Sequence, residues 1–179
     1  SYGIPMLDDT KTKATFNTPE ALDLLEKLKA LGDSGAIQSE SGTWDNWDND
    51  RQLYANGKLG MILGGAQTVS RLRDEASSDI MDNTAVNEAV LGPAKVSGEA
   101  IMNLVVSSGC KHPDEAIAFA NWITNDENQL AFCKLTSIFP TTKVASEDPF
   151  FKSDMETLEG QARYYASISA QNATDMTLG

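Results

Sequence analysis

Apolar residues recur at helical spacing along this chain, and short apolar runs separate the helical patterns. The clearest helix is predicted after Thr18, because threonine is a favourable N-cap residue and Pro19 suits the first helical position. Its apolar stripe consists of Leu24, Leu25, Leu28 and Leu31. The same spacing predicts further helices over 47–55 and 68–76, from 113, from Asn125 or Asp126 to about 135, and over 153–166.

The apolar runs at 59–63, 89–91 and 101–106 are short and are bounded by turn residues. Strands that are covered by helices on both sheet faces have continuous apolar runs of this kind. Helices that alternate with such strands indicate the α/β class. A length of 179 residues favours one domain, which we expect to span 1–179.

Composition restricts the possible partners. The formal net charge is −12, which argues against nucleic acid or an anionic membrane because both attract clustered Lys and Arg. An acidic surface usually serves solubility and identifies no ligand. No apolar run is long enough to span a bilayer. The start carries no basic-then-apolar export signal, so we expect any such signal to have been removed or to lie outside this chain.

Residue types that carry catalysis or bind metals are sparse. The only histidine, His112, precedes Pro113 at a helix start, where a cap or surface role is expected. The acidic loop fails the EF-hand pattern because Arg51 stands where glycine is needed. Cys110 and Cys133 form no C-x-x-C motif, so they are either a disulfide in an exported protein or two buried thiols. We therefore expect no enzyme activity, no cofactor and no metal.

Four phrases in a fixed order carry a family resemblance: Phe16–Ala21, Asn56–Met61, Lys111–Ala116 and Asn125–Gln129. Together they resemble bacterial extracellular solute-binding proteins of the maltose-binding type, family 1 of the receptors that serve ABC importers. The resemblance covers roughly residues 14 to 145. It implies two α/β lobes joined by a hinge, with the ligand held in the cleft between them.

This resemblance implies that residues 1–179 are one such lobe, the second, and that the partner N-terminal lobe is absent from this chain. The implied fold is a type II periplasmic-binding-protein lobe, with helices on both faces of a small mixed sheet. The implied function is capture of a sugar or oligosaccharide and its delivery to ABC permease subunits in the membrane. A monomer is expected in the extracellular or periplasmic space, anchored by a lipidated N-terminus that this chain does not contain.

Trp44 and Trp47 lie in a polar loop rich in Asp and Asn. Aromatic faces stack on sugar rings, and neighbouring carboxylates and amides bind hydroxyl groups, so both residues are candidate ligand contacts. Alternatively, one of them anchors the following helix to the core, since burial is the usual fate of tryptophan. Trp122 lies inside a predicted helix, where core packing is expected.

Three further ligand contacts are proposed from the resemblance: Gly65, Gln67 and Asn103. Sugar-binding members often have a Gly-Pro-Trp turn after the strand, and here Ala66 and Gln67 stand at its second and third positions. Gln67 is therefore expected to hydrogen-bond a hydroxyl instead of stacking. Arg71 follows this turn and is either a surface charge or within reach of the cleft. The Phe139–Thr141 turn resembles one that often borders the cleft.

Two other functional interpretations remain open at this stage. The chain could be a non-catalytic α/β protein-interaction or structural domain without a small ligand of its own. A polysaccharide-processing enzyme is a more distant alternative, because it needs two carboxylates at a defined separation across a cleft. Binding of glycans without turnover would distinguish these possibilities.

Overall fold

The computed structural model of the protein describes residues 2–37, 48–95, 97–99 and 102–175. The α-helices in these ranges are α1 (Pro19–Asp33), α2 (Asn49–Ala55), α3 (Gln67–Glu75), α4 (Ser78–Asp82), α5 (Pro113–Ile123), α6 (Asp126–Thr136), α7 (Lys143–Ser146) and α8 (Leu158–Gln171). A 3₁₀ helix spans Pro149–Lys152, and the strands are β1 (Ser97–Glu99) and β2 (Ala173–Asp175). Within the described ranges, no helix has both the length and the apolar character needed to cross a membrane.

Local capping signals fix where several helices begin. The Thr18 hydroxyl accepts a hydrogen bond from the backbone N–H of Ala21 at 3.2 Å, and Pro19 opens α1 as predicted. The side chain of Asn125 accepts from the N–H of Asn128 at 2.8 Å, so Asn125 is the N-cap of α6. These predictions are confirmed because a cap needs only residues close in sequence.

The last predicted helix, over 153–166, is displaced toward the C-terminus. Asp154 has a left-handed φ of 57°, which interrupts any helix at that point. Thr157 then caps α8, and its hydroxyl accepts from the N–H of Gly160 at 3.0 Å. The helix consequently runs from Leu158 to Gln171.

The predicted small mixed sheet is not confirmed. In the described part of the chain, β1 and β2 form a two-stranded parallel ladder in which Ser97 pairs with Ala173 and Glu99 with Asp175. The predicted strands at 59–63 and 89–91 are irregular, as is the described part of 101–106. A strand needs a neighbour for its backbone N–H and C=O groups, and the described residues supply none to these segments. Several of their apolar side chains are exposed, with Leu63 85% and Val105 87% accessible, whereas Ile62 is partly buried against the core.

The core lies where α3 packs between α2 and α8. One cluster of buried side chains consists of Ala55, Leu72 and Met81, and a second consists of Ala66, Val69 and Ala162. Leu158, at the start of α8, packs against both clusters. The apolar face of α3 is therefore buried, and its polar face is available for surface contacts.

A second packed region forms around Phe151, whose side chain is 1% exposed. The Phe139 and Phe150 rings meet it edge-on, with centroids 5.0 and 5.4 Å away. The buried Arg163 of α8 lies 4.3 Å from the Phe150 ring centroid and donates to Asp154 at 2.8 Å. These contacts hold the 3₁₀ helix and the following turn against α8.

The prediction that Trp122 packs in a core is wrong for the described residues. Its side chain is 59% exposed, and its ring contacts Phe119 with centroids 6.0 Å apart. Helical spacing gave α5 an apolar stripe, but spacing does not specify what covers it. The leucines of α1 at positions 22, 25, 28 and 31 are exposed in the same way.

Candidate functional site

The Gly64–Gln67 turn and the start of α3 form the first part of the candidate site. A Cβ added at Gly65 would lie 3.0 Å from Gln67 Nε2 and closer still to its Oε1, so the Gln67 amide folds over the Gly65 backbone. A Cβ at Gly64 would collide with the Thr68 side chain in the same way. Ala66 is buried and holds the turn to the core. The structure therefore brings two predicted contacts, Gly65 and Gln67, directly together.

One helical turn further along α3, Arg71 lies beside Gln67, because residues four apart share a helix face. The Arg71 side chain is 57% exposed, and its Nη1 is 3.5 Å from Asp48 Oδ1. Asp48 directly follows Trp47 in the sequence. Asp48 is thus tied to the helix that carries Gln67.

Arg51 completes this connection from α2. Its Nε and Nη2 donate to the two carboxylate oxygens of Glu75, each at 2.8 Å, and its Nη1 donates to Asp48 Oδ1 at 2.5 Å. Only 12% of the Arg51 side chain is exposed. These hydrogen bonds lower the pKa of both carboxyl groups and raise the pKa of Arg51. All three groups are therefore charged at neutral pH.

Of the other three predicted ligand contacts, the structure describes one, Asn103. Trp44 and Trp47 lie outside the described residues. Asn103 is exposed in the irregular segment that follows residue 101. Arg51 was missed as a site residue by the sequence analysis, although its spacing from Asp48 favours an ion pair. Its partner Glu75 is 24 residues away, a distance over which spacing predicts nothing.

The arrangement can bind polar groups. The Gln67 amide offers two donors and an acceptor, and the exposed Arg71 guanidinium offers further donors. Such groups on an open surface suit a ligand rich in hydroxyl groups. Among the described residues, no group of three or more His, Cys, Asp and Glu side chains is arranged to hold a metal ion.

The two cysteines and the histidine belong to other segments of the described chain. Both cysteines are free thiols in the structure. Cys133 is buried, and burial raises the pKa of its thiol, which disfavours the reactive thiolate. His112 is exposed at the N-cap position of α5 and its side chain makes no capping bond.

Two clefts in the described part of the chain lie elsewhere. One, of about 420 Å³, is lined by α6 and α7 with the carboxylates of Asp126, Glu127, Glu147 and Asp148. The other, of about 510 Å³, lies between Tyr2 and the start of α1. Neither contains a predicted contact. Gly64 and Gly65 are exposed, and Gln67 is partly exposed.

Comparison with known proteins gives two kinds of match. The family model described as bacterial extracellular solute-binding protein matches residues 3–159. No curated protein matches the sequence. Among solved structures, a protein from Synechococcus sp. MITs9220 described as a periplasmic oligosaccharide-binding protein, in complex with zinc, superposes with a TM-score of 0.86 at 21% identity. A second structure of that description, from the same organism, superposes with a TM-score of 0.81 at 22% identity.

These structural matches cover 97% and 98% of this chain but only 44% and 45% of the solved chains. The chain thus spans less than half the length of its solved relatives. At such identities the superpositions establish the fold, which is that of part of a periplasmic-binding protein. Because the family model spans residues 3–159, the chain belongs to the bacterial extracellular solute-binding protein family.

Proposed function

We propose that this chain is the carbohydrate-binding second lobe of the substrate-binding protein of an ABC importer. In this proposal the whole protein captures a sugar or oligosaccharide between two lobes and delivers it, unaltered, to membrane permease subunits. The observation that carries the proposal is the family match over residues 3–159. The description of the two superposed structures as periplasmic oligosaccharide-binding proteins supports the choice of ligand class.

The chemistry of the turn at the start of α3 supports a hydroxyl-rich ligand. The Gln67 amide lies over Gly65, where the missing side chain allows close approach. Arg71 adds donors one turn away, and Trp44 and Trp47 precede its partner Asp48 in the sequence. The proposed contacts of this lobe are Trp44, Trp47, Gly65, Gln67 and Asn103.

Exposed apolar surface supports the need for a partner lobe. Phe119 and Trp122 of α5 and the leucines of α1 are exposed, and a soluble monomer seldom exposes large contiguous apolar patches. The solved relatives are more than twice as long as this chain, so they contain the length that a further lobe requires. We propose that a first lobe covers part of this surface and closes the ligand site.

The location follows from the same family membership. We propose that the whole protein works as a monomer outside the cytoplasmic membrane, held there by a lipidated N-terminus. Fractionation of cells that express the whole protein, with and without globomycin to block lipoprotein signal cleavage, would test the anchor. A protein found only in the soluble fraction, whatever the treatment, would contradict it.

Calorimetry and thermal shift of the intact protein against mono- and oligosaccharides test the proposal. A ligand that binds only the native state raises the melting temperature by mass action. Once a ligand is found, Trp44→Ala, Trp47→Ala and Gln67→Ala should each weaken binding by about 1–3 kcal/mol, or about ten- to a hundred-fold. Gln52→Ala, an exposed glutamine of α2, is the matched control and should bind as wild type does.

The outcomes separate the possible functions. If no glycan binds and no turnover occurs, the interaction-domain alternative is favoured. Turnover of a bound glycan would favour an enzyme. If a glycan binds but all three substitutions leave affinity unchanged, the proposed contacts are wrong while the family assignment stands.

A further inference from the structure

We propose that residues 102–123 belong structurally to the lobe that this chain lacks. Residues 102–106 add a strand to the sheet of the missing lobe, and α5 packs against that sheet. The core at α2, α3 and α8 remains that of the second lobe. This inference deepens the proposed function, because it rests on the two-lobe architecture, but it requires no ligand contact.

The first observation is that α5 is apolar around its whole circumference. From residue 116 to residue 123, every residue except Asn121 is apolar. A helix of this kind is normally buried on several sides. No residue of α5 is buried here, and Ile117 is 49% and Phe119 59% exposed. Because these two residues are separated by about 200° around the helix axis, apolar neighbours are missing on opposite sides.

The second observation is that the irregular segment 102–106 is apolar and exposed on both faces. Neighbouring residues of a strand point to opposite faces of its sheet. Leu104 is 61% exposed and Val105 87%, so both faces of a strand here would be uncovered. Segment 59–63 differs, because Ile62 packs against a core cluster of this lobe. Segment 102–106 therefore has the apolar pattern of a central strand that lacks its sheet.

The backbone of this segment also lacks partners. Within the described residues, no backbone hydrogen bond reaches Leu104, Val105 or Val106. Buried backbone N–H and C=O groups are almost always paired, and an exposed row of them is a template for another strand. A strand from the missing lobe would pair these groups and cover the apolar side chains at the same time.

The path of the chain supports an excursion into another lobe. Before the segment, β1 pairs with β2, which follows α8. After α6, Phe139 packs on Phe151 and so rejoins the region around α8. The chain is thus attached near α8 on either side of residues 102–136. Between these attachments, α5 contributes no residue to either of the two described core clusters.

The occupant of this surface is the rest of the same polypeptide. The solved relatives superpose on 97% and 98% of this chain, so they contain an equivalent of nearly all of it. Only 44% and 45% of their own length is matched, which leaves more than half of each solved chain to form a covering lobe. A second copy of this chain would bring a further net charge of −12 to the contact, which disfavours self-association.

Two methionines test the proposal in the wild-type intact protein, with both lobes and without ligand. Met102 is 78% exposed in this chain, and Met155 is 39% exposed. Because access to the thioether controls its oxidation to the sulfoxide, this chain by itself would be oxidised first at Met102. In the intact protein we expect the reverse order under dilute hydrogen peroxide, with Met155 oxidised before Met102. Peptide mass spectrometry gives both rates from one sample.

Hydrogen exchange of the same protein tests the strand itself. The backbone amides of residues 104–106 should exchange slowly, because the proposal pairs them in a sheet. Fast exchange of these amides would overturn the strand addition.

A matched pair of substitutions gives an independent measurement. Val105→Asp places a carboxylate in the proposed interface, whereas Val144→Asp places one outside it, on α7, where the side chain is 68% exposed. An unpaired charge is strongly destabilising when it is buried. In urea unfolding of the intact protein, Val105→Asp should have a much lower midpoint or no folded state. Val144→Asp should have a midpoint near that of wild type.

The remaining outcomes identify other occupants and separate this proposal from the carbohydrate function. Oxidation of Met102 before Met155 in the intact protein, or equal midpoints for the two variants, would overturn the proposal. Protection of Met102 that is lost when a dimer is diluted to monomers, as followed by sedimentation, would assign the surface to a second copy and overturn it too. Protection of Met102 in a monomer that binds no glycan would support the proposal while the carbohydrate function fails. Glycan binding with Met102 oxidised first would have the opposite meaning.

Discussion

Two glycines of this chain should respond in opposite ways to the same added methyl group. At Gly160, near the start of α8, a Cβ would overlap the Asp154 carbonyl and lie 2.8 Å from the Ser153 carbonyl oxygen. These are backbone atoms of a turn that Arg163 holds by its 2.8 Å bond to Asp154. At Gly65, the Cβ would instead meet the end of the flexible Gln67 side chain.

The magnitudes follow from this difference. Alanine in place of a helical glycine gains up to about 1 kcal/mol. Overpacking costs about 1–3 kcal/mol, and the upper end applies at Gly160 because the backbone itself must move. We therefore expect Gly160→Ala to lower the free energy of unfolding by about 2 kcal/mol, or about 30-fold in the unfolding equilibrium. Gly65 has no left-handed φ, so Gly65→Ala should leave stability unchanged or raise it by about 0.4–1 kcal/mol through the unfolded state.

The assay is urea unfolding of the intact protein, followed by circular dichroism, with the midpoint and the m-value fitted separately. Gly160→Ala should lower the midpoint at constant m-value, whereas Gly65→Ala should not. Displacement of the Gln67 amide should nevertheless weaken glycan binding in Gly65→Ala. Equal midpoints for both variants, or a stable Gly160→Ala, would refute the reasoning about backbone and side-chain neighbours.

Three further outcomes are expected. Phe151→Ala should cost about 3–5 kcal/mol of stability because its side chain is 1% exposed, and a loss below about 1 kcal/mol in chemical denaturation would contradict that packing. Hydrogen bonds from Arg51 lower the pKa values of the Asp48 and Glu75 carboxyls below their ordinary values of 3.8 and 4.5. Their contribution to stability is therefore fully present above the ordinary pKa values and is lost as the pH falls through the lowered pKa values. Arg51→Gln should flatten that acid limb of the unfolding curve, and an unchanged pH dependence would argue against the network. Cys133, 4% exposed with a raised thiol pKa, should resist iodoacetamide near neutral pH until the protein unfolds, as mass spectrometry of the labelled thiol can check.

The starts of α1 and α6 could be predicted because their signals are local. Thr18 and Asn125 cap α1 and α6 by accepting hydrogen bonds from residues three positions away. Such hydrogen bonds depend only on the local sequence. The displaced start of α8 shows the limit of this reasoning. The left-handed Asp154 and the bond from Arg163 hold a turn where periodicity alone predicted helix.

The site residues stay a prediction. The resemblance of residues 64–67 to the Gly-Pro-Trp turn of sugar-binding members implied Gly65 and Gln67, and in the structure the Gln67 amide lies near the Gly65 backbone. The role of Arg51 could not be predicted, because its two bonds to Glu75 join residues 24 apart that meet only when α2 packs on α3.

The sequence by itself determined the starts of α1 and α6 and the family, since each depends on neighbours along the chain or on phrases in order. Only the tertiary structure decided which apolar faces are covered. Val69 and Leu72 of α3 are buried because α2 and α8 pack against them. Trp122 also lies in an apolar stripe, that of α5, yet its side chain is 59% exposed. The physical reason is that amphipathic spacing specifies a face to be buried but not the surface that buries it.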